Sequence, residues 1–167
     1  MRILDEKFKK NPFQYFIQFG LVTISVFIIL LFLHTLSSAT IVASLGASSF
    51  IAFTAPHAQS SRPRFLIGGY VVGVLSGLLC NGIQSWFIPS DFTFLGYPSY
   101  TFFCAVAVGL AMFTMAITNF EHPPAAALAL GLVVDKASLK SVMVALVGII
   151  ALSAFKTLLK PYMKNLL

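Results

Sequence analysis

Residues 15–36 read YFIQFGLVTISVFIILLFLHTL, a run without a single Asp, Glu, Lys or Arg. About 20 apolar residues in a helix are enough to cross a hydrocarbon core of roughly 30 Å. Pro12 stands just before the run, and proline suits the first turn of a helix because no N–H is needed there. The stretch therefore predicts a membrane-spanning helix.

The shortage of charge extends over the whole chain of 167 residues, of which 58% are hydrophobic and 10% are charged. Soluble domains carry about a quarter charged residues. Between Lys10 and Arg62 there is no charged side chain at all. A charge at the bilayer centre costs roughly 2.5–3.5 kcal/mol, so such gaps suit lipid. We expect an all-α polytopic transmembrane bundle, one domain over residues 1–167 without a soluble regulatory domain, and not an enzyme.

The apolar runs alternate in length, in the order long, short, long, and then long, short, long again. The sequence therefore predicts two three-helix pseudo-repeats, over residues 13–89 and 99–160. Three crossings is an odd number, so the halves would be inverted relative to each other. We expect the two short helices to be broken or to span the membrane incompletely. The runs after the first cover residues 40–55, 65–88, 100–118, 124–134 and 141–159.

The net charge of +6 comes from basic residues placed at the ends of apolar runs. Six crossings leave nine of the eleven Lys and Arg on one side, with only Lys136 and Lys140 opposite. If the short segments were re-entrant, Arg62 and Arg64 would change side and the distribution would be more even. The positive-inside rule favours six crossings, with both termini in the cytoplasm of a bacterial or archaeal cell. No nucleic-acid partner is expected.

The run Glu121-His122-Pro123-Pro124 is the most informative polar stretch. Its prolines fit a helix start, where unpaired N–H groups and the positive end of the helix dipole attract anions. In the other short run a glycine permits close approach and serine hydroxyls can donate. Two such helix starts that meet would form an anion site. The predicted substrate-binding residues are Ser44, Gly46, Ala47, Ser48, Ser49, His122, Pro123, Pro124 and Ala125.

Other polar residues have both a functional and a simpler interpretation. Glu121 and His122 are predicted to couple a proton to the anion, since histidine titrates near neutral pH, or they lie at the water interface. His57, Arg62 and Arg64 are predicted to gather anions at the entrance, or they are a solvated loop and membrane anchors.

Three further residue sets complete the predictions. Gly69, Gly73 and Gly77 recur every four residues, which is typical of close helix packing, within or between protomers. Cys80 and Cys104 have no metal-type spacing and are interpreted as packed thiols. His34 is predicted to lie at the membrane interface.

The stretch Asn119–Ala127, together with Gly46–Ser49, Ala55–His57, Arg62–Arg64 and Gly68-Gly69, resembles the HPP family of integral membrane proteins, named for the run at His122–Pro124. The resemblance covers roughly residues 43–151. It implies a helical membrane protein, usually described with four spanning helices, and a transport role, because chloroplast and cyanobacterial members are linked to nitrite transport.

The predicted function is therefore a membrane transporter or channel for a small inorganic anion, nitrite by resemblance, without a cofactor or metal. One alternative is a membrane-embedded metal protein or enzyme that uses Glu121, His122 and His57. A second is a structural membrane subunit. Besides the anion and the lipid bilayer, the expected partner is a second copy of the chain, because a homo-oligomer would help to bury the glycine face.

Overall fold

The structure, a computed structural model, describes residues 6–33, 39–89, 92–94, 97–136 and 138–166. These residues form helices joined by short connections, apart from one two-stranded pair, so the predicted all-α bundle is confirmed. His34 lies outside the described residues. The elements are α1 (Glu6–Lys10), α2 (Pro12–Leu33), α3 (Ala39–Thr54), α4 (Pro63–Phe87), β1 (Thr93–Phe94), β2 (Tyr97–Pro98), α5 (Ser99–Thr118), α6 (Pro123–Val134) and α7 (Leu139–Leu159), with 3-10 turns at Gln59–Ser61 and Lys160–Tyr162.

Four helices of the described chain, α2, α4, α5 and α7, are long and apolar enough to cross a membrane. Helix α3 runs from one end of the bundle to the other, whereas α6 begins beside the middle of α3 and ends beside its start. At one end, Leu166 N donates to Thr54 O at 2.8 Å; at the other, Thr40 Oγ1 donates to Asp135 Oδ2 at 3.3 Å. At 1.5 Å per residue, α3 and α6 are about 24 and 18 Å long, somewhat shorter than the hydrocarbon core.

The glycine face of α4 packs inside the protomer, against α6. A Cβ added at Gly77 would lie 2.8 Å from the carbonyl oxygen of Ala129, and one at Gly73 would clash with the carbonyl of Ala125. Only glycine allows the two backbones to approach so closely. A homo-oligomer is therefore not needed to bury this face, and that reason for expecting one was wrong. The oligomeric state itself stays a prediction.

The principal packed pairs have the pattern that two equivalent three-helix halves require, whether direct or inverted. Helix α4 packs on α5, α6 and α7, while α7 packs on α2, α3 and α4. The short helices contact each other, α6 also contacts α5, and α3 also contacts α2. Exchanging α2 with α5, α3 with α6 and α4 with α7 leaves this set unchanged. The repeat remains a prediction that the packing supports.

Helix α3 is continuous from Ala39 to Thr54. Of the two alternatives predicted for the short helices, a break is therefore wrong for α3, and an incomplete span stays a prediction. Its serines bond back to their own helix: Ser48 Oγ donates to Ser44 O at 2.9 Å and Ser49 Oγ to Leu45 O at 2.8 Å. Hydroxyls satisfied in this way can stay inside a helix. Gly46 alone weakens a helix by only about 1 kcal/mol, which packing outweighs. The segment 44–49 therefore provides no helix start.

Candidate functional site

Four polar side chains are buried together at the centre of the bundle. Ser44 and Ser48 come from α3, Tyr70 from α4, and His122 from the connection that precedes α6. Their exposed fractions are 1%, 0%, 0% and 1%, respectively. We call these four side chains the hydroxyl–histidine cluster. Because buried polar groups are retained only when they are paired or functional, this cluster is the leading candidate site.

A continuous hydrogen-bond chain joins the cluster. Tyr70 OH lies 2.9 Å from both Ser44 Oγ and Ser48 Oγ. Ser48 Oγ lies 2.8 Å from His122 Nε2. Ser44 Oγ donates to the carbonyl oxygen of Pro124 at 2.7 Å, which links α3 directly to the first turn of α6. The cluster therefore connects the two short helices through the tyrosine of α4.

Local sequence explains why these side chains meet. Ser44 and Ser48 are four residues apart, so they share one face of α3. Gly69 leaves room for the histidine: a Cβ there would lie 2.5 Å from the Cβ of His122. The backbone of His122 lies outside the α-helical region, with φ −147° and ψ 88°, and the proline that follows disfavours that region. The glycine and the proline together hold the imidazole against Tyr70, with ring centroids 5.8 Å apart.

The start of α6 has fewer free backbone N–H donors than the sequence predicted. Pro123 and Pro124 have no N–H, and Ala125 N donates to His122 O at 2.9 Å. No amide proton of these first three helical positions is left for an anion. An anion site made of paired helix N-termini was therefore a wrong prediction, because α3 has no start here and α6 starts with prolines. The positive end of the α6 dipole remains.

The number of protons that the cluster can donate indicates which ring nitrogen of His122 is protonated. The cluster makes five polar contacts, counting Ser48 Oγ to Ser44 O at 2.9 Å. Its hydroxyls supply one proton each, and a proton on Nε2 of the histidine adds a fourth donor. This tautomer satisfies the cluster best. It leaves Nδ1 as a buried acceptor without a hydrogen-bond partner.

The imidazole is held in its neutral form. His122 belongs to the connection of residues 119–122, outside the four candidate spans. Burial lowers the pKa of His122 from its ordinary 6.5 to about 4, since a buried charge loses its hydration. The imidazole is therefore uncharged at neutral pH.

Only part of the predicted binding set meets at the site. Ser44, Ser48 and His122 form the cluster, and Pro124 contributes its carbonyl oxygen. The buried Ala125 packs behind the site, against α4. The remaining predicted residues lie elsewhere. Gly46, Ala47 and Pro123 are exposed, and Ser49 is buried but bonds only to its own helix.

The residues predicted to couple a proton or to form the entrance are spread around one end of the bundle. We call it the C-terminal end, because the end of the chain at Leu166 meets Thr54 there. Glu121 is exposed, unlike the adjacent His122. His57 is exposed and contacts Met163 O through its Nε2 at 3.2 Å. Arg62 is exposed too. The guanidinium of Arg64 lies 5.2 Å from the ring centre of Phe120, two residues before His122. Of these residues, Arg64 is the one whose contacts place it beside the connection that carries the site.

Two important residues were missed by sequence reasoning. Tyr70 follows the first glycine of the packing face, and a phenol in an apolar helix needs a hydrogen-bond partner, which was the available signal. Lys156 near the end of α7 is also buried, 2% exposed, and its Nζ donates to Ser61 O at 2.8 Å. Its position near a basic chain end gave no signal that it faces inward.

Nothing in the geometry favours the metal or enzyme alternative. Glu121 and His57, which it requires beside His122, do not join the cluster. The part of the chain that the structure describes contains no group of three or more His, Cys, Asp or Glu side chains able to hold a metal ion. Cys80 and Cys104 are buried free thiols.

Fold and site together define a polytopic helical membrane protein with a closed polar centre. The family described as HPP, transmembrane region, matches residues 8–165. The chain therefore belongs to the HPP family of membrane proteins, which confirms the resemblance seen in the sequence. No curated protein and no solved structure matches it.

Proposed function

We propose that this chain transports a small inorganic anion together with a proton, nitrite by family resemblance, and that His122 carries the proton. The observation behind the proposal is the unpaired Nδ1 of a buried histidine within a cluster of hydroxyls. An unprotonated Nδ1 can accept a proton, but it cannot donate a hydrogen bond to an anion. Proton and anion must therefore arrive together.

Electrostatics explains this coupling. A lone imidazolium buried in the bundle is unfavourable, as the lowered pKa of His122 shows. An anion beside Nδ1 would compensate the charge, and the proton would in turn make Nδ1 a donor to the anion. The positive dipole end of α6 favours the anion and opposes the bare imidazolium. Each ligand therefore raises the affinity for the other.

The hydroxyls supply the remaining contacts. Ser48 Oγ and Tyr70 OH lie beside the imidazole and bond to each other in the closed cluster. Rotation of either O–H bond would direct its proton to an oxygen of nitrite, while the serine keeps its place on α3. A site of this kind suits a small anion with two acceptor oxygens.

Transport requires the closed cluster to open, and α3 is the element best placed to move. Helix α6 is held against α4 by close backbone contacts at Gly73 and Gly77. Helix α3, in contrast, borders a cavity of about 490 Å³ between itself and α2. We assign movement to α3, which would separate Ser44 and Ser48 from His122. Arg64, beside Phe120, would receive anions at the C-terminal end.

The test is nitrite flux into proteoliposomes, with and without an inward proton gradient. We expect flux that rises with the gradient, and at least a tenfold loss of flux in His122→Gln. His57→Gln is the matched control, because this exposed histidine lies outside the cluster and its substitution should leave the flux unchanged. Absence of flux of nitrite, nitrate, formate and chloride through the native protein would reject the proposal.

A further inference from the structure

Two neighbouring cavities lie between the first helices at the C-terminal end of the bundle. The larger, about 490 Å³, is an apolar groove between α2 and α3. The smaller, about 210 Å³, lies where the start of α2 meets the C-terminal segment. Both are lined by Tyr15 and Leu166, so they adjoin each other. They form one elongated site with an apolar part and a polar part.

The polar part is basic. It is lined by Lys10 and Lys164 together with Asn11, Gln14 and Asn165. None of the residues that line either cavity is acidic. The two lysines are exposed and therefore available to a ligand. The charge of this part is complementary to a phosphate.

The apolar part opens sideways from the bundle. Phe16, Phe19 and Phe50 line it, and they are 66%, 68% and 58% exposed. The first candidate membrane span begins at Pro12. The groove therefore lies within the hydrocarbon layer, and the two lysines lie at its boundary with water. This is the arrangement of an acyl chain and its headgroup.

The C-terminal segment forms one wall of the site. Leu166 N donates to Thr54 O at 2.8 Å, and Tyr15 OH donates to Leu166 O at 3.0 Å. Lys164 N donates to Gln18 Oε1 at 3.0 Å. These bonds join α2, α3 and the segment that carries one of the lysines. These bonds place the basic and apolar parts next to each other in the closed arrangement of the bundle.

We infer that these cavities bind an anionic phospholipid, with one acyl chain in the groove and the phosphate between Lys10 and Lys164. A water-soluble anion would not occupy the groove, and a zwitterionic lipid would gain less from two lysines. Each basic residue near a membrane surface strengthens binding of anionic lipid by roughly fivefold, so removing both should weaken it about 30-fold. The inference involves the same cavity beside α3 as the transport proposal, but lipid binding is measured without any transport assay.

Native mass spectrometry and thermal unfolding of the purified protein would test this site. Phosphatidylglycerol and phosphatidylcholine with identical chains are compared on the native protein and on Lys10→Gln/Lys164→Gln. We expect selective binding of phosphatidylglycerol that falls about 30-fold in the double variant. Lys136→Gln/Lys140→Gln, at the opposite end of the bundle, is the matched control and should bind normally.

The groove is tested by Val22→Trp, which should fill it and reduce binding of phosphatidylglycerol while both lysines remain. Equal binding of the two lipids, equal loss in the control pair, or the same stabilisation by inorganic phosphate alone would overturn the inference. Efficient disulfide cross-linking of Phe16→Cys between two copies in lipid would also overturn it, because a second protomer would then occupy the groove.

Discussion

The two short helices occupy equivalent places in the order of elements, yet they differ in how they are held. Helix α6 lies on the glycine face of α4, with backbone against backbone. Helix α3 has a lipid-facing cavity at its side and contacts the site only through hydroxyls. The histidine therefore lies next to a close backbone contact, while its hydroxyl partners stand on the helix to which the proposed function assigns movement.

The largest effect should come from a substitution that breaks the support of α6. Gly73→Leu would force a side chain into the carbonyl of Ala125, and we expect it to lower the free energy of unfolding by about 3 kcal/mol. Gly46→Ala on α3 is the matched control, because nothing lies within 4 Å of its added Cβ. Thermal unfolding in detergent measures both. Equal losses would remove the distinction between the two helices.

The next effect concerns pH and the histidine that precedes α6. Because the folded pKa of His122 is about 4 and its ordinary value is 6.5, only the unfolded imidazole takes up a proton between these values. Stability should therefore fall as pH drops from 6.5 to 4, by an amount on the order of 3 kcal/mol. His122→Gln should flatten this part of the stability profile. An unchanged profile would contradict a neutral buried imidazole.

The smallest effect should come from the hydroxyls. Tyr70→Phe leaves Ser44 and Ser48 without a shared partner, and we expect a loss of about 1–2 kcal/mol in the free energy of unfolding. Ser49→Ala removes a hydroxyl that bonds only to Leu45 O of its own helix, and it should change stability by less than about 0.5 kcal/mol. Chemical unfolding in mixed micelles can resolve the pair. A greater loss from Ser49→Ala would contradict the assigned cluster.

The sequence predicted the bundle because charge-free runs of membrane length leave few alternatives. It also identified His122, Ser44 and Ser48, since ionisable and hydroxyl groups in apolar segments are conspicuous. It did not predict that α3 continues through Ser44–Ser49, because local propensity was overruled by back-bonded serines and packing. Tyr70 was missed because its role depends on three helices that meet in space, which no local pattern records.

The sequence was likewise only partly informative about how the helices are oriented in the bundle. The distribution of basic residues predicted six crossings. Four of the described helices are long and apolar enough to cross, and the crossing of α3 and α6 stays a prediction. Which residue faces the interior at each level depends on helix rotation, and here the sequence was less informative. Lys156 stands near a basic chain end, but it is buried and bonded to Ser61 O. Gly46 and Ala47 were assigned to the site, but they lie on the exposed side of α3.

The central claim is that proton and anion bind together at His122, and nitrogen NMR of the imidazole tests it most directly. The chain has three histidines, so His34→Gln/His57→Gln leaves one resonance pair in lipid bilayers. At pH 6.5 we predict a neutral imidazole protonated at Nε2, which becomes imidazolium when nitrite is added. An imidazole that stays neutral at saturating nitrite, or that is already charged without it, would contradict the account.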